Sequence, residues 1–187
     1  YRPEDLSLES LVAVAKLSVS ENGPVRAVRH LETQGIAVIV ESHLPKTYLD
    51  GAAFVFEGRP IIGLTLRHDR LDNFWFSLLH ELVHVWRHLA SGGQFFDDLD
   101  VDSEDVKEIE ADRIASEALI PQKAWDKSPA SKLRSPEAAV FLAKSLSISP
   151  AIVAGRMRKE FNAYKLLNSL VGHGQVRKWF TGVSWSV

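Results

Sequence analysis

The chain has 187 residues, 45% hydrophobic and 25% charged, with a formal net charge of −2. That suits one soluble core, or one core with an appendage, and the near-neutral balance selects no particular partner. There are no cysteines, which excludes disulfides and thiolate metal sites, and no apolar run approaches the roughly 20 residues of a membrane span. No membrane partner is expected, no signal peptide is visible, and a cytoplasmic location follows. The first residue is Tyr1 rather than Met, so a fragment of a longer protein is expected.

In chain order, residues 4–20 and 24–34 read as two helices, the second with Pro24 suited to its start and Gly35 to its end. Residues 36–40 form a short apolar strand, and 51–57 and 60–66 two more, joined by a hairpin turn at Glu57-Gly58-Arg59. A largely apolar helix follows, with Asp72 or Asn73 as its N-cap, running past Leu89 without Gly or Pro. A polar loop at 91–102 leads to a helix from about 103 to 119, capped by Asp102 or Ser103, that stops before Pro121. Ser135-Pro136 begins a helical tail with segments at 138–146, 151–161, up to about 170, and 175–180.

The charge is uneven. Residues 91–120 hold 2 Lys+Arg against 10 Asp+Glu, whereas residues 121–187 hold 11 against 3. An acidic middle and a basic tail can attract each other, or the tail can meet an anionic partner. The run Asp97-Asp98-Leu99-Asp100 fails a calcium-loop template that starts at Asp98, because Ser103 stands at the sixth position and Ile109 at the twelfth.

His80-Glu81-Leu82-Val83-His84 is an H-E-x-x-H motif. On a helix, residues four apart share a face, so two imidazoles can converge on one Zn²⁺, with Glu81 placed to act as general base. A third ligand is required. His88 lies about 12 Å from His80 along a helix axis, too far for one ion; it reads as a helix-end residue lining the cleft or partly exposed. On the 103–119 helix, Glu110 shares an arc with Val106, Ile114 and Glu117, while Glu108 and Asp112 face away. A carboxylate on an apolar face is costly unless paired or metal-bound, so Glu110 is the leading third ligand. Glu117 is a candidate cleft residue, with a salt bridge to Arg113 or Lys107 as its plainer role.

These residues resemble a known family. His80-Glu81-Leu82-Val83-His84, then Glu108-Ile109-Glu110-Ala111-Asp112-Arg113-Ile114-Ala115, then Leu119-Ile120-Pro121, are similar to the ImmA/IrrE metallopeptidases. Their pattern is H-E-L-x-H, E-x-E-A-(N/D)-x-F-A and L-(L/M)-x-P, and Ile114 replaces the usual Phe. The resemblance implies His80, His84 and Glu110 as zinc ligands and Glu81 as general base. Leu146-Ser147-Ile148-Ser149-Pro150-Ala151 and its neighbours look like the C-terminal part of HigA-like antitoxin regulators, in which a DNA-binding helix-turn-helix precedes the peptidase-like domain. Such a domain is then expected upstream of Tyr1.

The expected architecture is α+β: a small mixed three-stranded sheet on zincin-like helices, followed by a helical tail, with a metallopeptidase domain at 1–127 and an extension at 128–187 packed on it. The expected function is hydrolysis of a peptide bond in a protein substrate, by family resemblance a helix-turn-helix repressor. Zn²⁺ is the expected cofactor, with Mn²⁺ or another divalent ion compatible with the same donors. The strand at 60–66 is a candidate to pair with an extended substrate. His88, Tyr48, His68 and Arg113 are candidate oxyanion stabilisers. The competing function is a regulatory or sensor domain of a toxin–antitoxin or stress-response regulator with little proteolysis. A third reading is DNA binding, through the missing domain or through a helix-turn-helix at 138–159 bearing Arg156, Arg158 and Lys159. A homodimer is the remaining partner considered.

Overall fold

A computed structural model of the chain describes residues 1–43, 50–89 and 101–185, with the side chains of 101–105 outside the description. The fold is α+β, as expected from the order of elements. Helices α1 (Leu8–Lys16) and α2 (Gly23–Thr33) come first. Ser7 caps α1 through a reciprocal bond pair with Ser10. Strands β1 (Ala37–Val40), β2 (Gly51–Phe56) and β3 (Arg59–Leu64) form one sheet in the order β1-β3-β2. β1 runs parallel to β3 and β2 antiparallel to it. The β2–β3 link is Glu57-Gly58, with φ of 49° and 74°, the two positive values a tight hairpin turn demands.

This topology corrects one expectation. The strand starting near Pro60 is central, with both edges taken, so it cannot receive a substrate strand. β1 and β2 are the two edge strands, and the outer side of β2 has no strand partner among the described residues.

Helix α3 (Leu71–Val83) is the axis of the molecule. Phe74, Trp75, Leu78, Leu79, Leu82 and Val83 are each 0% exposed, so the helix is apolar on nearly every side because it is packed on nearly every side. α1, α4 (Val101–Leu119), α7 (Pro150–Glu160), β2 and β3 all touch it. α4 begins at Val101, two residues before its expected start. The cap of α3 also differs from expectation. The N-cap position is Arg70, not Asp72 or Asn73. Asp72 is held by the Arg70 fork, both bonds 2.9 Å, so its carboxylate does not turn back to a backbone N–H.

Between α4 and α7 lie α5 (Gln122–Lys127) and α6 (Pro136–Leu146). Ser135 and Ser149 cap α6 and α7, each followed by Pro at the first helical position. Ser149 N–H donates to Ser18 Oγ at 2.8 Å inside the protein, tying the start of α7 to the N-terminal helices.

The final segments are less helical than expected. Beyond α7 the chain makes turns and one 3₁₀ turn at Arg177–Trp179. It straps across the start of α3: Leu71 N–H donates to Val171 O (3.0 Å), Gly174 N–H to Asp69 O (2.9 Å), and the N–H groups of Val176 and Arg177 to Asp69 Oδ1 (2.9 and 3.1 Å). Gly172 has φ of 71°, and a Cβ there would sit 2.6 Å from a Leu71 methyl, so only Gly fits the crossing. No helix among the described residues is long and apolar enough to cross a membrane.

Candidate metal centre

The last turns of α3 and the middle of α4 face each other. His80 Nε2 and His84 Nε2 are 3.1 Å apart, and Glu108 reaches both, with Oε2 3.0 Å from His80 and Oε1 3.2 Å from His84. Tetrahedral ligands about 2.0–2.1 Å from a zinc ion would lie roughly 3.3 Å from one another. Two imidazole nitrogens and one carboxylate oxygen therefore converge as a three-donor set that could hold a metal, and the set fits zinc, with Mn²⁺ also compatible.

Each histidine is oriented through its other nitrogen. His80 Nδ1–H donates to Asp112 Oδ1 at 2.9 Å. His84 Nδ1 lies 3.0 Å from His88 Nδ1, and His88 Nε2 lies 3.3 Å from Glu110 Oε2. One proton assignment satisfies the whole chain and leaves both Nε2 lone pairs free: His84 Nδ1–H to His88, then His88 Nε2–H to Glu110. Outer partners of this kind fix tautomer and ring orientation at metal sites. The backbone contributes as well, since residues His84–His88 form a π-helical turn, with Leu89 N–H bonded to His84 O.

This arrangement changes the expected third ligand. Glu110 is bound by His88 and by Arg87 Nε (3.3 Å), which hold its carboxylate below the usual range, and it does not reach the His80–His84 pair. Glu108 takes that place. The physical reason lies in which face of α4 is buried. Val106, assumed to mark the inner face, is 64% exposed, while Ala111, Ala115 and Ala118 are at most 2% exposed. On a helical wheel that stripe is centred about 100° from Glu110, so Glu108 and Asp112, four residues apart, sit together on its far flank. A stripe of small residues, which lets two helices approach closely, was the signal available in the sequence.

Glu81 is buried, 7% exposed. Burial and the nearby charge of Glu108 push its carboxyl up to about 8. Its position is set by β2: a Cβ on Gly51 would lie 2.6 Å from Glu81 Oε1 and 2.8 Å from its Cγ, so the strand can approach only because residue 51 has no side chain. His84 is pushed down to about 4 by burial and by the neighbouring His80 and His88. It is therefore neutral at ordinary pH, the form a cation needs.

The remaining candidates lie elsewhere. Glu117 Oε2 accepts from Gln122 N–H at 2.9 Å, serving the start of α5, and Arg113 is exposed. Burial lowers His68, which lies near Asp50. Tyr48 lies outside the described residues. α6 and α7 form the expected helix pair, but Arg158 is 5% exposed and Arg156 donates to Ile120 O at 2.9 Å, so these two cations are turned inward.

No curated protein matches the chain. A family described as the IrrE N-terminal-like domain, peptidase family M78, matches residues 31–158. The match takes in the sheet, both site helices, the His80–Glu81–His84 motif, Glu108 and Asp112, and it ends within α7. The chain therefore belongs to the ImmA/IrrE family of metallopeptidase-like domains.

Proposed function

We propose that the chain is a zinc-dependent endopeptidase acting on a protein substrate, the class implied by the family resemblance being a helix-turn-helix transcriptional repressor. The observation that carries the reading is the convergence of His80, His84 and Glu108 beside the buried carboxyl of Glu81. A bound divalent cation would supply Lewis acidity, polarising the scissile carbonyl and acidifying a water. Glu81, shielded from solvent, takes a proton from the attacking water and delivers it to the leaving amine; an acid–base group works best with a pKa near the working pH. Gly51 keeps Glu81 pressed to the cleft wall. The outer edge of β2, which begins at that residue and has no strand partner among the described residues, offers backbone groups to an extended peptide.

The test is cleavage of a co-encoded repressor by the zinc-loaded chain and by Glu81→Gln. Wild type is expected to cut and the variant to lose about 10²–10⁴ in rate. Identical behaviour of the two removes the protease reading and leaves that of a regulatory or sensor domain.

A further inference from the structure

A cavity lies at the other end of α3, lined by the first turns of α3, the last turns of α4 and the outer half of α7. Its volume is ≈ 440 Å³, within the range of small-molecule sites. Four cations line it: Arg70, Arg156, Arg158 and Lys159. Two carboxylates accompany them, and both are engaged. Asp72 binds Arg70 with both oxygens, and Glu160 pairs with Arg156 at 3.5 Å.

Arg158 is the unusual group. It is 5% exposed, and only its Nη2 is bonded, to Tyr164 O. Its Nε and Nη1 have no partner among the described residues. A buried guanidinium with two unpartnered nitrogens carries a desolvation cost that an anionic oxygen reaching one of them would offset. Burial and the nearby Arg70 weaken its hold on its proton, while the carboxylate of Asp72, already bound to Arg70, acts the other way. Lys159, exposed at the rim, rests over the Phe76 ring at 5.6 Å. Phe76, Leu119, Ile120 and Ile152 give the wall an apolar part, and Asn73, Ser116 and Gln122 a neutral polar one.

We propose that this cavity binds a small molecule with one phosphate or carboxylate group and an apolar body, Arg158 gripping the anion, Lys159 closing over it and the body lying against Phe76 and Ile120. The site is separate from the metal centre, and the proposal stands whether or not the chain is a peptidase. Phe76 links the two, since its ring centroid is 6.0 Å from that of His80, so an occupant would touch a side chain one helical turn from a metal ligand.

Phenyl phosphate is a suitable probe, used on the full chain carrying His80→Ala and His84→Ala so that no metal at that centre can take the phosphate. A saturable rise in thermal midpoint is expected, absent with phenol and absent with sodium chloride at matched ionic strength. Lys159→Gln and Arg158→Met should each weaken the apparent affinity at least tenfold. If Arg158→Met does not fold, Lys159→Gln decides alone. No saturable rise, an equal rise with phenol, or an affinity unchanged in the folded variants would overturn the proposal.

Discussion

The two ends of α3 are opposites. At its C-terminal end the imidazoles of His80 and His84 meet Glu108 and Asp112 from α4, a donor set for a cation. At its N-terminal end Arg70 meets Arg158 and Lys159 from α7, a set for an anion. One apolar helix serves both because each partner helix supplies one sign of charge, α4 from the acidic middle of the chain and α7 from the basic tail. The uneven charge that reads in the sequence as attraction between segments is thus sorted in space into two sites.

The comparison can be broken at its metal-binding end first. Glu108→Ala should abolish stoichiometric zinc binding, whereas Glu110→Ala should retain it with affinity weakened about 10–100-fold, the usual cost of an outer partner; metal analysis of both proteins checks this, and the reverse order would restore Glu110 as ligand. Asp112→Ala should cost a similar 10–100-fold in affinity, read by competition with a chelator. Gly51→Ala should displace Glu81 and cut turnover by about 10–100-fold while leaving zinc affinity unchanged, since small misplacements at a reacting group are costly; a loss of zinc instead would mean that the sheet had moved as a whole.

The smallest effect is on stability. Glu81, with its carboxyl pushed up to about 8, keeps its proton in the folded chain where the unfolded chain has lost it, so stability falls as pH rises through that window. His84, pushed down to about 4, acts in the opposite sense below about 6.5, where the unfolded chain takes up a proton and the folded one does not. Between about pH 6.5 and 8 only the Glu81 effect remains, and metal-free protein should lose up to about 2 kcal/mol. Denaturant titrations at the two pH values check this. Glu81→Gln should remove the loss, and an equal loss in that variant would assign it to other groups.

The sheet, the two site helices and the serine caps are legible in the sequence because local rules govern them: alternation and turn chemistry for β2 and β3, Ser-Pro for α6 and α7, four-residue spacing for His80 and His84. The third ligand is harder to read because it depends on how α4 rolls against α3. With three glutamates and one aspartate between residues 108 and 117, apolar neighbours such as Val106 mislead, and only the small residues Ala111, Ala115 and Ala118 mark the contact. The roles of Gly51 and of the buried Arg158 have no local signature at all. Each exists only where two distant segments meet, Gly51 against Glu81 and Arg158 where α7 faces Arg70 at the start of α3.

The strap formed by residues 171–177 has a consequence for the order of events in synthesis. The first backbone N–H of α3 and the carboxylate of Asp69 find their partners about a hundred residues later in the chain, beyond the stretch matched by the family. Such contacts close late, because loop-closure entropy must be met before they form. The strap across the N-terminal end of α3 therefore closes only after residue 177 has emerged from the ribosome, and a chain cut short before that point holds the residues of both sites but lacks their keystone.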